Sequence, residues 1–503
     1  MATVTDVNAS APPPGPPEGP DPKRWLALAI IAVAQLMVVL DASIVTIALP
    51  SAQHALHISN DNRQWVVTAY TLSFGSLLLL GGRIADYVGR KRVFIIGLLG
   101  FAASSALGGA AVNSAMLFGA RALQGAFGAL LAPAALSLIT VTFTEIKERS
   151  TAFGVYGAIS GGGAAIGLIL GGLLTQYASW RWCLLVNVPI AVGAALASLP
   201  VVRESKAHGN TSYDIPGAVS VTAGLVSLVY GFTRAAQDGW SSGPTLICIG
   251  IAAVFLVAFV IIELRAAHPL LPMRVLLERN RGGSFLSSFM VGAGLLGMFL
   301  FLTYYFQGTL GYSALKSGFA FLPFSAGIIL AAGVSSKLLP LTTPRVLMTS
   351  GFVAAGLGMV WLSRIGIHSS FAVHVLPAEI LISLGMGMAF VPMSSTALYG
   401  VSQNDAGVAS ALVNTTQQVG GSLGTALLNT VAATATAAFL ATRIHTPAAV
   451  ARATVHGYTV GFLVGAVCLA IAALSALILV NASREDMAAI AGAVIEPELP
   501  IAV

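Results

Sequence analysis

Three ionisable side chains sit in stretches otherwise suited to hydrocarbon, and each could do proton or charge chemistry there. Residues 40–50 read LDASIVTIALP, so one carboxylate, Asp41, interrupts an apolar run from Trp25 to Leu49. At about 1.5 Å per helical residue that run can cross a bilayer core of about 30 Å. A carboxylate in hydrocarbon is costly and is a functional candidate by default. Alone there, Asp41 could take up or release a proton as a cavity opened to either side. Alternatively it stays charged and accepts hydrogen bonds from neighbouring helices, helped by Ser43 or Thr46.

Arg121 opens the stretch RALQG in another apolar run. On a helix, positions 121, 124, 125 and 128 share a face, so Arg121 and Gln124 line one stripe with Gly125 and Gly128, where a neighbour can come close. Arginine keeps its proton, hence it would act on a titrating carboxylate by its charge, or else snorkel to the membrane interface. Glu379, two residues after Pro377, begins a third run. It is either an interface residue in water or a second protonatable or cation-attracting group.

Such residues need helices to hold them. The chain is 56% hydrophobic and only 9% charged, far below the roughly 25% charge of a soluble chain. Fourteen apolar runs fall between residues 25 and 480, the weakest being the one that starts at Asp214 and the one at 408–438. They lack the strict alternation of a barrel strand, so the reading is an all-α polytopic membrane protein with 14 transmembrane helices. Both termini are placed in the cytoplasm, because most of the 25 Lys and Arg then fall on cytoplasmic segments. The expected location is the plasma membrane of the cell, crossed many times.

Two segments read as parts that move or gate. GVYGAISGGGAAIGLILGG places Gly163, Gly167 and Gly171 at four-residue spacing, a flat strip for a sliding helix or for plain tight packing. GGRIADYVGRKR, residues 81–92, is a cytoplasmic turn. There Gly82 and Gly89 allow a tight crossing. Asp86 can accept from helix N-terminal N–H groups or pair with Arg90, and Arg90 and Lys91 anchor to anionic headgroups, which together suggests an ionic latch. In NTTQQVGGSLG, Asn414 and Gln417 lie close to one face with two glycines, and that face should look into the bundle. With Gln124 and Glu379, and with Met298, Tyr304 and Met386 as adaptable apolar lining, they make up the expected substrate cavity.

No GxxxxGK[ST] motif and no long extramembrane segment is present, so the chain carries no nucleotide-driven module of its own. No metal cluster is indicated, since the eight histidines mostly fall in loops, and Cys183, Cys248 and Cys468 all lie in apolar segments. The net charge of +6 is accounted for by cytoplasmic loops and implies no nucleic-acid partner.

Together these stretches resemble the major facilitator superfamily, in particular its fourteen-helix drug:proton antiporter branch. LDASIVTIALP resembles the helix 1 motif through Asp41. GGRIADYVGRKR resembles the loop 2–3 motif through Gly82, Asp86, Gly89, Arg90 and Lys91. RALQG resembles the helix 4 motif through Arg121, Gln124 and Gly125, whose arginine the family links to proton coupling. WRWCLLVNVP, with Asn187 and Pro189, is similar to the start of helix 6. One departure stands out: the helix 5 signature has proline after a glycine, whereas Gly167 is followed here by Leu168, which restores a backbone donor. In this respect the chain resembles an actinobacterial subgroup of efflux pumps for which lipid export is proposed alongside drug efflux.

The resemblance implies two pseudo-symmetric six-helix bundles, 25–200 and 282–480, joined by a linker at 201–281 with two additional helices. A disordered tail precedes them at 1–24 and another cytoplasmic tail follows at 481–503. It implies no enzyme and no cofactor. Export of hydrophobic or cationic compounds would be driven by the proton gradient through alternating access, with Asp41 and Arg121 as the coupling residues. The alternative is translocation or extraction of membrane lipid. A monomer suffices, with a dimer left open.

Overall fold

The computed structural model describes residues 22–483 apart from 144, 207–213, 267–268, 272, 402–405, 442–443 and 445. The expected tails therefore lie outside the described residues except at 22–24 and 481–483. Backbone groups in hydrocarbon must bond within their own segment, and the chain is helical accordingly. The first six helices are α1 (Arg24–Ala55), α2 (Trp65–Val88), α3 (Arg90–Gly109), α4 (Ser114–Thr142), α5 (Ile146–Tyr177) and α6 (Trp182–Val201). Next come α7 (Ile215–Asp238) and α8 (Gly243–Arg265). The last six are α9 (Arg279–Tyr304), α10 (Ala314–Leu338), α11 (Pro344–Leu362), α12 (Leu376–Ala397), α13 (Ala406–Leu440) and α14 (Pro447–Leu479).

Local sequence explains where several of these begin. Asn113 accepts from the Met116 N–H at 2.9 Å and starts α4, and Asp214 accepts from the Gly217 N–H at 2.8 Å and starts α7. Gly89 separates α2 from α3 with a φ of 123°, a conformation other residues rarely adopt. Two π turns mark the second half: Tyr305–Thr309 after α9 and Phe371–Val375 before α12.

Among the described residues, 12 helices are long and apolar enough to cross a membrane, or up to 13 if bent α2 counts as one span. Of the expected fourteen, the remaining helix, α5, is apolar over Gly163–Tyr177.

In the first half, α1 packs on α5 and α6, α2 on α4, and α3 on α4 and α6. The second half repeats those partnerships: α9 packs on α13 and α14, α10 on α12, and α11 on α12 and α14. The halves meet where α2 lies on α13 and α5 on α10, while α7 and α8 pair with each other and α7 rests on α13 and α2. The starts of α1 and α9 and the end of α14 define one end of the molecule, here the near face. Lys23 donates to the Pro200 carbonyl there, and Asn280 accepts from the Asn481 N–H at 2.7 Å. The opposite end, with residues 56–64 and 363–370, is the far face.

Candidate functional site

The expected coupling residues converge inside the first half. Asp41 on α1 is 0% exposed and Arg121 on α4 is 1% exposed, so protein surrounds both side chains. Arg121 Nη1 donates to Asp41 Oδ2 at 2.6 Å and to Gln124 Oε1 at 2.9 Å, and its Nε donates to the Val66 carbonyl on α2 at 2.9 Å. Its guanidinium also lies over the Tyr70 ring, 4.4 Å from the centroid. The other carboxylate oxygen, Asp41 Oδ1, accepts from Gln124 Nε2 at 3.0 Å and from Asn187 Nδ2 on α6 at 2.7 Å. Ser105 on α3 completes the set by receiving a second hydrogen bond from Gln124 Nε2 at 2.7 Å.

Three readings of the sequence change as a result. Asp41 is not a lone carboxylate: three side-chain donors from α4 and α6 satisfy it. Ser43 and Thr46 do not help it, since both hydroxyls bond back to carbonyls of their own helix. Arg121 does not snorkel, because a buried counter-ion is in reach. A pair this deep gives little net stability while intact but is costly to break on one side.

The helices approach closely enough for this because glycines face them. Gly125 abuts the Tyr70 carbonyl and Gly128 the Phe74 ring, bringing α4 against α2. Gly163, Gly167 and Gly171 face Val39, Leu40 with Ser43, and Ile44, so the ladder of α5 packs along α1 past Asp41. Leu168, which follows the second glycine of that ladder, presents its carbonyl to Gly318 of α10.

At the near face, Asp86 pairs with Arg90 at 2.8 Å, one of the two arrangements expected of the turn. The helix N-terminus there is filled by a different acid: Glu204 accepts from the N–H groups of Lys91 and Arg92 at 3.0 and 3.2 Å. Lys91 Nζ donates to the Leu199 carbonyl, and a Cβ on Gly89 would meet the Glu204 carboxyl at 2.8 Å. Gly82 faces Pro133 of α4. Nothing in the sequence near residue 204 points to this role, which only the return of the chain after α6 creates.

The residues expected to line a substrate cavity do not share one location. Gln124 belongs to the polar cluster, while Met298 and Met386 are buried in the apolar core of the second half. Asn414 is exposed and Gln417 half-buried on α13. Tyr304 bonds Gln53 across the halves. Glu379, one of whose readings was an interface residue in water, is instead 0% exposed, because the π turn before α12 and the packing of α10 and α11 cover it.

Polar contacts between the halves lie toward the far face. Arg63 Nε donates to Asn429 Oδ1 at 3.3 Å, and Asn429 Nδ2 donates to Gln64 Oε1 at 3.1 Å. Gln307 Nε2 donates to the Ile47 carbonyl at 3.0 Å, and Thr71 and Ser422 share a 2.6 Å hydrogen bond. Arg63, 7% exposed, is stacked 4.0 Å over the Tyr304 ring and 5.8 Å from that of Tyr458. A small apolar cavity of about 10 Å³ in the first half is lined by Val45, Leu49, Val66, Leu117 and Leu184 among others. Arg63→Ala removes a hydrogen bond and a desolvated cation–π contact, each worth about 1–2 kcal/mol, and should move the open–closed balance at the far face by roughly tenfold or more. Labelling of Ile47→Cys by an impermeant maleimide, in a background without the native cysteines, should accelerate accordingly; an unchanged rate would show that Arg63 does not hold this face shut.

The family model described as Major Facilitator Superfamily matches residues 31–425. The puromycin resistance protein of Streptomyces alboniger is 48% identical over 503 residues, which cover 99% of this chain and 100% of that protein. The MFS-type transporter EfpA of Mycobacterium tuberculosis is 36% identical over 416 residues, 82% of this chain and 78% of that one. A solved bacterial homologue of the human lysosomal transporter Spinster, in an inward-facing and unoccupied conformation, aligns with a TM-score of 0.64 at 16% identity, covering 92% of this chain and 98% of that one. At that identity the likeness is one of fold.

Proposed function

The chain belongs to the Major Facilitator Superfamily, and from that premise we propose that it exports hydrophobic or cationic small molecules, puromycin among them, in exchange for protons. It is a membrane transporter rather than an enzyme. The observation that carries the exchange is the buried Asp41–Arg121 pair, a titratable group set where water reaches it only if the bundle opens. The reading adopts the fourteen-helix drug:proton antiporter arrangement. Two six-helix bundles, α1–α6 and α9–α14, rock about the deep site, with α7 and α8 between them in sequence, and residues 1–24 and 481–503 form the tails. The near face is cytoplasmic, both termini lie on it, and the membrane is the plasma membrane. One copy is sufficient.

In the far-closed state Asp41 is ionised and fully bonded. Opening of the far face lets an external proton reach it, and two features make neutralisation tolerable. Arg121 keeps the Val66 carbonyl, Gln124 Oε1 and the Tyr70 ring, so it is not left bare. Asn187 Oδ1, buried and without a partner among the described residues, becomes the acceptor for the new Asp41 hydroxyl once the amide turns over. The neutral carboxyl then weakens the tie between α1 and α4 and lets the bundles reorient, after which the proton leaves on the cytoplasmic side. A cationic substrate competes with the proton for the same charge, which supplies exchange directly.

The test is reconstitution in liposomes with puromycin, ethidium and a labelled phospholipid. For one-for-one exchange, a gradient of about one pH unit should sustain about a tenfold accumulation of drug, and reversing the gradient should reverse the flux. Drug movement that ignores the gradient, or movement of phospholipid alone, would refute this reading, the second result in favour of lipid transport.

A further inference from the structure

We propose that Glu379 is a second proton-binding site, lying in the second half of the chain and separate from the Asp41 cluster, which holds a proton while the far face is closed and exchanges it with the far-side medium when that face opens, so that far-side pH governs how readily the face closes again. Neither Glu379 oxygen has a hydrogen-bond partner among the described residues, although the side chain is 0% exposed. It occupies the first turn of α12, between Ala378 and Ile382, both fully buried in the apolar core. Gly358 of α11 lies against the Ala378 carbonyl and the Ile382 side chain, so two helices close tightly over this turn.

Among the described residues no cation pairs with it. The elements packed on α12 are α9, α10, α11, α13 and the π turn Phe371–Val375. Their cations are Arg279 and Arg281 on α9, Lys316 and Lys337 on α10 and Arg345 on α11; four lie at the near-face ends, and Lys316, at the far-face end with Glu379, rests over the Tyr312 ring at 3.8 Å from its centroid. Helix α13 carries no titratable side chain. Tyr304, at the far end of α9, spends its hydroxyl on Gln53. The remaining group is His374 in the π turn, whose Nδ1 is also buried and unpartnered.

An ionised carboxylate without partners or water is costly, whereas the neutral acid loses only weak hydration. Binding a proton is therefore the reaction this pocket favours. Separation of the π turn or of α11 from α12 admits water, the O–H bond breaks heterolytically, and the proton passes to solvent. Nothing is oxidised or reduced. Proton binding itself stands on this geometry, and only its consequence for export rests on the transport reading above.

Two measurements test it. Dicyclohexylcarbodiimide, which enters apolar sites and reacts with protonated carboxyls, should modify Glu379 in the purified wild-type protein, as read by peptide mass spectrometry. The carbonyl infrared band of a protonated carboxyl should be lost in Glu379→Gln and retained in Asp41→Asn. In liposomes, Glu379→Gln should lower the response of ethidium export to the pH gradient by about tenfold while gradient-free counterflow persists. Absence of both the adduct and the band would overturn the proton site. A band with an unchanged gradient response would overturn its cycling and leave a fixed neutral acid. Neither result touches Asp41, whose failure would show instead as gradient-independent drug movement in the wild type.

Discussion

Asp41→Asn should abolish gradient-driven export of puromycin or ethidium, with the initial rate in liposomes falling at least about 100-fold, equivalent to about 2.7 kcal/mol. The amide cannot bind and release a proton. It also presents an NH2 group to a site in which Arg121, Gln124 and Asn187 all point donors inward, so at least one of them loses its acceptor. Counterflow without a gradient should survive better than driven transport, because reorientation does not need the missing proton. A variant that still concentrated drug at the expense of the gradient would show that the coupling acid lies elsewhere.

The second large effect concerns stability. Arg121→Leu leaves the Asp41 carboxylate buried without its counter-ion and should cost about 3–5 kcal/mol, seen as a marked drop in melting temperature of the detergent-purified protein. The double variant Asp41→Asn with Arg121→Leu should recover most of that loss, since two apolar or neutral groups replace a charge pair. It should remain inactive in driven transport. Equal destabilisation of the single and double variants would mean that Arg121 supports the fold through Val66 and Tyr70 rather than through Asp41.

The two effects differ in kind, and the difference has a physical source. Removing the acid alone leaves a cation that still has a carbonyl and an aromatic face to rest on. Removing the cation alone leaves an anion with only neutral donors. On the exchange reading proposed above, proton uptake by Asp41 takes the tolerated route, which would let the same cluster be stable when ionised and still open when neutral.

Asp41, Arg121 and Gln124 were legible in the sequence because a polar side chain in an apolar run has no cheap place to go except the bundle interior. The glycine ladder at 163, 167 and 171 was legible for the same kind of reason, since helical periodicity alone puts those positions on one strip. What periodicity could not supply was the identity of the residues on the facing helices. Asn187 and Ser105 complete the site from α6 and α3, and Val66 offers it a carbonyl that no side-chain pattern reveals.

Residues at helix ends were the least legible. Arg63 and Glu379 both lie where a run meets a loop, and the sequence there cannot distinguish water from protein. The structure places Arg63 over Tyr304 and beside Asn429, contacts separated by hundreds of positions, and closes a π turn over Glu379. Glu204 lies in a short polar segment without a motif, yet it fills the N-terminus of α3. Composition and period determined by themselves that the chain is a helical membrane protein with a costly acid and a fixed cation inside it, because hydrocarbon penalises every alternative. Tertiary structure alone decided that the acid is partnered, that the far face is shut and that a second acid lies bare, because each depends on which distant side chains reach the same few ångströms.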